Sequence, residues 1–128
     1  MPNTLIATRS GWIRDPYAVI DAVHDALREA LKIPDWDRTV RLIEHEPSHF
    51  AIPPGRGQNY TIVEVTMFSG RSFEAKRALY EAIVRNLGGL GIAATDIKIT
   101  LIETPMENWG IRGGKPASEV NLGFQVAV

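Results

Sequence analysis

Apolar residues recur along the chain at two spacings, and the changes between them predict where its elements lie. Asn3–Thr8 is a short strand candidate, and Asp15-Pro16 then supplies an N-cap followed by a proline at the first helical position. Ile33-Pro34 stops the helix, after which Thr39–Glu44 alternates like a strand. The apolar residues at helical spacing between these signals are Val19, Val23, Ala26, Leu27, Ala30 and Leu31. This part of the chain is predicted to form a strand, a helix and a strand.

The chain contains an internal repeat with a constant offset of 59 residues. The matching positions are Ser10-Gly11 with Ser69-Gly70, Leu31 with Leu90, Ile33 with Ile92, Asp37 with Asp96, and Leu42-Ile43-Glu44 with Leu101-Ile102-Glu103. Two copies, approximately residues 2–46 and 61–105, nearly fill the chain, and this repeat is too long for a solenoid unit. We therefore expect a single domain over residues 1–128, built from two copies of one supersecondary unit.

The second copy predicts the same order of elements. Thr61–Phe68 is predicted as a strand, and Gly88-Gly89 supplies the C-terminal break of the helix that follows. The residues expected to face inward are Leu79, Ala82, Ile83, Leu87 and Leu90 on the helix and Ile97, Ile99 and Leu101 on the last strand. Parallel strands joined through a helix need a right-handed crossover. The predicted fold class is therefore α+β, a duplicated β-α-β with a four-stranded sheet and both helices on one face.

The opposite face of the predicted sheet carries apolar side chains that also need cover. Ile43, Ile62 and Ile102 are expected to point toward it, and an apolar sheet face is seldom left in water. Self-association would cover it. Residues 121–128 alternate as well, with Leu122, Phe124, Val126 and Val128 apolar. They predict an extra short C-terminal strand, which could pair within its own subunit or with a neighbour.

Composition and charge exclude several classes of function. Fourteen basic against fifteen acidic residues give a net charge of -1, so no positive field is available to hold a nucleic-acid backbone. The chain has no cysteine, which excludes disulfides, thiolate metal sites and a cysteine nucleophile. No window approaches the roughly 20 apolar residues of a membrane span, and the start lacks the pattern of a secretory signal. We expect a cytoplasmic protein without nucleic-acid or membrane partners.

One motif resembles a zinc site but does not fit its physical requirements. The segment His45-Glu46-Pro47-Ser48-His49 matches the His-Glu-x-x-His pattern letter for letter. That pattern works because a helix places both imidazoles on one face, whereas Pro47 interrupts this segment and a strand precedes it. We therefore interpret the segment as the exit of a strand and predict no metal site.

The second residue offers a different kind of chemistry. Removal of an initiator methionine before Pro2 leaves a secondary amine at the first atom of a strand. Burial beside arginines lowers the pKa of such an amine from its ordinary value of about 8 toward neutral pH, which suits a general base. The chain also uses ten arginines but only four lysines, a bias that favours bidentate recognition of carboxylates.

These features together resemble the tautomerase superfamily, the 4-oxalocrotonate tautomerase-like enzymes, over the whole chain. The proline-two start and the doubled strand-helix-strand plan carry the likeness. The segments similar to the malonate semialdehyde decarboxylase group are Ile33-Pro34-Asp35-Trp36-Asp37-Arg38, Phe68-Ser69-Gly70-Arg71-Ser72 with Lys76 and Tyr80, and Asn108-Trp109-Gly110-Ile111-Arg112-Gly113. The resemblance implies a homotrimer that needs no metal or organic cofactor.

The resemblance also implies roles for individual residues. These are Pro2 as the amine acid or base, Asp37 as its polar partner, Arg71 as the carboxylate anchor, Arg38 and Arg112 as helpers in binding the substrate, and Trp109 as a wall of the pocket. The implied activity is keto-enol proton transfer on a small 2-oxo or enol carboxylic acid, a tautomerase reaction.

Two other readings stay open. The same residues with water would support decarboxylation or hydration-type dehalogenation, although Ser69 stands where the decarboxylase group has the first of two loop arginines. A chain of this plan could also be a non-catalytic domain that binds a small ligand. Retention of Met1 would make the Pro2 nitrogen an amide without basicity.

Overall fold

The computed structural model describes residues 1–124 and residue 126. The elements of the two repeats are β1 (Asn3–Arg9), α1 (Pro16–Leu31), β2 (Val40–His45), β3 (Thr61–Phe68), α2 (Phe73–Gly88) and β4 (Ile97–Thr104). The strands form one sheet in the order β2-β1-β3-β4. β1 pairs with β2 and β3 with β4 in parallel, and the two halves meet where β1 and β3 run antiparallel. The predicted duplicated β-α-β fold is confirmed.

Both helices begin and end where local signals in the sequence place them. The Asp15 side chain accepts a hydrogen bond from the Tyr17 amide ahead of Pro16, as the predicted N-cap requires. α2 has an N-cap in Ser72, whose hydroxyl accepts from the Ala75 amide. α2 ends at Gly88 with Gly89 as its C-cap, which confirms the predicted break.

One core fills the space between the helices and one face of the sheet. Its buried members include Ile6 and Val63 from the central strands, Leu27 from α1 and Leu79 from α2. Leu90 was expected to face inward, and this prediction is wrong because the residue is 40% exposed. It lies beyond the end of α2, where helical spacing no longer decides which way a side chain points.

The opposite face of the sheet carries one apolar row, next to a row in which Leu5 lies between Arg41 and Glu64. The register places Ala7 between Ile43 and Ile62 on the neighbouring strands. Ile43 and Ile102 are 40% and 42% exposed, although leaving such apolar side chains in water is energetically unfavourable. This face, named here the outer face, therefore has the composition of a contact surface.

The region after β4 folds back over the end of the sheet near β3. Two short strands, β5 (Gly110–Ile111) and β6 (Lys115–Pro116), pair antiparallel. Within residues 121–124 and 126 the structure has no strand. The predicted C-terminal strand is therefore wrong for these residues, and Leu122 and Val126 are instead buried in a second apolar cluster. Val128 lies outside the described residues.

The zinc-like segment is a strand exit, as interpreted. β2 ends at His45, and Pro47–His49 forms a single 3-10 turn rather than an α-helix. The His45 ring packs against the Phe50 ring at 5.2 Å between centroids. In the part of the chain that the structure describes, no helix is both long and apolar enough to cross a bilayer.

Candidate active site

The register of the sheet brings three separate segments to one end of it. Thr4 pairs with Val40 at the start of the parallel pair, so the loop before β2 lies beside the amino terminus. Asn3 pairs with Thr66 in the antiparallel pair, so the end of β3 and the loop that follows it also lie there. These two loops carry Asp37 and Arg71. Residues far apart in sequence therefore meet where β1 begins.

The amino group of the chain forms an ion pair with Asp37. The Met1 nitrogen lies 3.3 Å from Asp37 Oδ2, and the aspartate is only 6% exposed. The loop is held in place by its backbone, because the Thr4 amide donates to Thr39 O and the Asp37 amide donates to Pro34 O. A buried carboxylate needs a cation or donors beside it, and here the free amino terminus is that cation.

Arg71 approaches the same place from the loop between β3 and α2. It is 7% exposed, and its Nη1 donates to the carbonyl of Leu31, the last residue of α1. A carbonyl at a helix C-terminus has no partner within the helix and favours a cation. This bond fixes the guanidinium while leaving other donors free to bind a ligand.

Burial and the two neighbouring charges set the proton affinity of the amine. Burial lowers the pKa of the Met1 amino group below its ordinary value, the charge and hydrogen-bonding capacity of Asp37 raise it, and the charge of Arg71 lowers it. Burial also lowers the pKa of Arg71, and Asp37 raises it. The ordinary pKa of an arginine is so high that Arg71 keeps its charge, whereas the pKa of the amine starts at about 8 and is lowered from there.

Two buried polar atoms of this site lack hydrogen-bond partners among the residues that the structure describes. They are Arg71 Nε and Asp37 Oδ2; the second has the amine at ion-pair distance but accepts no well-aligned hydrogen bond. Leaving a buried polar atom unpaired costs about 1–3 kcal/mol. Such atoms side by side indicate a place where a polar ligand would satisfy them.

Pro2 lies one residue from the amine and is buried at the start of β1. Removal of Met1 would move the amino terminus by at most about 3.8 Å, the distance between consecutive Cα atoms. The chain end would therefore stay within reach of Asp37 and Arg71.

A cavity of about 610 Å³ lies beside the loop that leads to Arg71, although Met1, Asp37 and Arg71 are not among the described residues that line it. Its walls include Ser69 and Gly70, which precede Arg71 directly, and the tail residues Leu122, Phe124 and Val126. The Met1 side chain packs against the apolar cluster that forms these walls. Sequence reasoning missed the tail as part of the site, because the alternation of its apolar residues was interpreted as an edge strand.

The remaining predicted site residues lie around this centre. Trp109 packs edge-on against Phe68 at 5.0 Å between ring centroids, and its indole nitrogen donates to Thr104. Arg112 donates to the carbonyl of Asn121 in the tail. Arg38 is exposed and pairs with Asp21 on α1, so its guanidinium is bound elsewhere in this structure.

The matching position in the second repeat shows a different arrangement. Asp96 is the repeat partner of Asp37 and is also buried. Its Oδ1 accepts a hydrogen bond from the backbone amide of Gly57, at 3.0 Å. A Cβ on Gly57 would lie 2.7 Å from Asp96 Oδ2, so only glycine fits this approach. The second carboxylate therefore meets an amide where the first one meets an amine.

Comparisons with known proteins agree with this geometry. The sequence model of the tautomerase enzyme family matches residues 37–112. The probable tautomerase YrdN of Bacillus subtilis strain 168 is 28% identical over 103 residues, 76% of this chain and 79% of YrdN. A solved FG41 malonate semialdehyde decarboxylase inhibited by 3-bromopropiolate is 33% identical over 89% of this chain and 92% of its own, with a TM-score of 0.81. The Q0 fused 4-OT, solved as a symmetric trimer, shares the fold at 22% identity, with a TM-score of 0.80 over 90% of this chain and 95% of its own. The chain belongs to the tautomerase family.

Proposed function

We propose that this protein is a cofactor-independent tautomerase that moves a proton between oxygen and the adjacent carbon of a small 2-oxo or enol carboxylic acid. The observation that carries the proposal is the buried amino terminus, held 3.3 Å from Asp37 Oδ2 with Arg71 facing the same group. After Met1 is removed, the nitrogen of Pro2 takes this place as the general base and acid.

The surroundings of the amine favour proton transfer near neutral pH. A base works best when its pKa lies near the working pH. Burial and the charge of Arg71 lower the pKa of the amine toward that range. Asp37 acts in the opposite direction and stabilises the protonated amine after it takes the proton. The pair can therefore accept a proton from one atom of the substrate and return it to another.

Arg71 is proposed as the carboxylate anchor. Its buried Nε has no partner among the described residues, and a substrate carboxylate would satisfy it with a charge-assisted hydrogen bond. Arg112 and Trp109 would complete the binding site. Arg38 would help only if its ion pair with Asp21 opened.

The cavity supports a substrate with one carboxylate. Among the described residues that line it, the polar ones are Ser69, Ser118 and Asn121, and none carries a charge. Arg112, which bonds to the wall residue Asn121, is committed to that carbonyl through Nη1, and burying a second carboxylate without a free cation would be costly. We therefore propose that the part of the substrate remote from Arg71 is uncharged.

The outer face is proposed as the contact surface of a homotrimer in the cytoplasm. Removing its apolar row of Ile43, Ala7 and Ile62 from water would stabilise the assembly. The symmetric trimer of the fused 4-OT, which has the same fold, supports three copies as the assembly.

A decarboxylase or hydratase-type dehalogenase is the second candidate. It is favoured by the 33% identity with a malonate semialdehyde decarboxylase and by the buried Asp37, which could orient a water. Ser69, at the position of an additional arginine in that group, weighs against it.

Pro2→Ala tests the proposal. We first expect the intact mass of the purified protein to lack Met1. Turnover of the enol form of a 2-oxo monocarboxylate, followed by its absorbance, should then fall about 100-fold in Pro2→Ala, the usual size of a general acid-base contribution. Pro54→Ala, at an exposed loop proline, should keep full turnover. Because Pro2→Ala keeps a primary amine, unchanged turnover in this folded variant would reject a specific role of the proline nitrogen, and unchanged turnover after acetylation of the amino terminus would reject the amine mechanism. Ligand binding without any turnover in the parent protein would favour a binding domain.

A further inference from the structure

Three polar side chains on one face of α1 contact the loop that carries Asp37. They are Asp21, His24 and Arg28, at spacings of three and four residues, which place them on the same side of the helix. The proposed proton transfer uses none of them. Each of them has a partner in residues 35–38, and these partners lie on both sides of Asp37.

His24 is the buried member of this group. It is 3% exposed, and its Nε2 lies 3.1 Å from the backbone carbonyl of Asp35. A carbonyl oxygen only accepts, so Nε2 must carry the proton and donate it. Nδ1 has no partner among the described residues. A buried imidazole with one specific bond to a loop carbonyl costs free energy that an apolar residue would avoid, which points to a use for that bond.

The other two side chains hold the same loop from the surface. Arg28 Nε lies 2.5 Å from Asp35 Oδ1, and Asp21 pairs with Arg38. Arg28 also contacts Asp25, one turn along α1. The residues two before and one after Asp37 are therefore tied to the helix by side chains.

We propose that Asp21, His24 and Arg28 form a positioning face that fixes the Asp37 carboxylate against the amino terminus, with His24 as its principal member. This inference rests on the proposed function, because it assigns Asp37 a role in the chemistry. A group on a loop is less well fixed than one on a helix, and a displacement of about 1 Å at a catalytic group can cost about 100-fold in rate. Bonds to a rigid helix would reduce that loss.

The proton affinity of the amine reports the position of Asp37. Asp37 raises the pKa of the amino group, whereas burial and Arg71 lower it. Among the residues that the structure describes, these are the two charged groups that shift it. If the loop moves away, the contribution of Asp37 weakens and the pKa of the amine falls further. A purely structural role for His24 would reduce stability without this shift.

His24→Met and His24→Gln form a matched pair, because the two new side chains have similar length and only glutamine keeps a donor. We expect the pKa of the terminal amine to fall by about half a unit or more in His24→Met and to return toward the parent value in His24→Gln. It would be measured by acylation of the amino terminus with limiting acetic anhydride against pH, quantified by mass spectrometry. The kcat should fall about tenfold in His24→Met with KM nearly unchanged, because Arg71 is not on the loop.

One further variant, with two controls, keeps the test decisive if His24→Met does not fold. Arg28→Gln removes the exposed ion pair with Asp35 and should lower the amine pKa in the same direction. Glu29→Gln, which breaks a surface pair with Arg85 instead, is its control and should leave that pKa unchanged, as should His49→Met at an exposed histidine.

An unchanged amine pKa in folded His24→Met and Arg28→Gln would overturn the proposal. Equal shifts in His24→Met and His24→Gln would also overturn it, because packing rather than the donor would then be the cause. The acylation measurement needs no substrate, so it decides the positioning role even if the parent protein shows no turnover and the proposed function fails.

Discussion

Asp37 and the amino terminus form an ion pair in which the proton affinity of the amine depends on the aspartate. Asp37 raises the pKa of the amine, and burial, the largest influence, lowers it. A fixed aspartate therefore determines how much of the amine is free to accept a proton at a given pH. The register that brings β1 beside the Asp37 loop makes this pairing possible.

Asp37→Asn should move the rising limb of the pH-rate profile to lower pH. The variant removes the negative charge that favours the protonated amine, so the pKa of the amine falls and its neutral, basic form appears at lower pH. The direct measurement is kcat/KM against pH for the enol form of a 2-oxo monocarboxylate. The maximum rate should also decrease, because the protonated amine loses its partner.

Asp96→Asn provides the matched control for Asp37→Asn. Asp96 is the buried repeat partner of Asp37 but contacts a backbone amide, not an amine. Its replacement is expected to change stability while the pH-rate profile keeps its position. A rising limb that stayed in place in Asp37→Asn, or moved equally in both variants, would contradict the role assigned to Asp37.

At the level of elements, the start of α2 determines how Arg71 enters the site. Gly70 adopts a positive φ of 121°, a conformation that side chains other than hydrogen rarely allow. Ser72 then caps the helix. The chain turns sharply between β3 and α2, and Arg71 is held between the turn and the cap.

Ser72→Ala should destabilise the protein by about 1 kcal/mol, the usual cost of losing an N-cap. The Ala75 amide would lose the hydroxyl that it now contacts at 3.1 Å. Urea unfolding followed by circular dichroism would measure the change. Ser10→Ala, at an exposed serine before α1, should leave the unfolding midpoint unchanged, and equal midpoints for both variants would contradict the importance of the cap.

Local signals made the elements predictable, whereas the site depended on contacts that no local pattern contains. Asp15-Pro16 and Gly88-Gly89 placed helix ends correctly because caps act over a few residues. The ion pair of Arg38 with Asp21 and the hydrogen bond from His24 to Asp35 connect separate elements. Only the tertiary structure shows these contacts. Asp37 and Arg71 were identified from a family resemblance; their burial together beside the amine is a structural finding.

At the level of the whole molecule, the outer face is the proposed contact surface between copies of the chain. Ile62 lies in the apolar row of this face, beside Ala7 on β1. Burial of such a side chain in an interface would stabilise the assembly by about 1.5–3 kcal/mol. A charge at this position would be buried in the interface beside Lys98, the partner of Ile62 on β4, and an ion pair seldom repays the cost of removing both charges from water. The assembly should therefore be sensitive to a single residue here.

Ile62→Glu is expected to convert the trimer into monomers at micromolar concentration, measured by sedimentation equilibrium. Tyr17→Glu introduces the same charge at a residue of α1 that is 70% exposed and should leave the mass unchanged. A parent protein that sediments as one chain would refute the trimer, and an unchanged trimer in Ile62→Glu would place the interface elsewhere.

The contact between Asp96 and Gly57 has a consequence for the history of the duplication. A chain made by joining two equal units keeps only one free end, so the second unit loses its amine and the linker amide takes its place. That amide cannot gain or lose a proton near neutral pH. After the duplication only the first repeat can therefore keep a proton-transferring amine of the proposed kind, while the buried carboxylate of the second repeat contributes to the fold through its contact with Gly57.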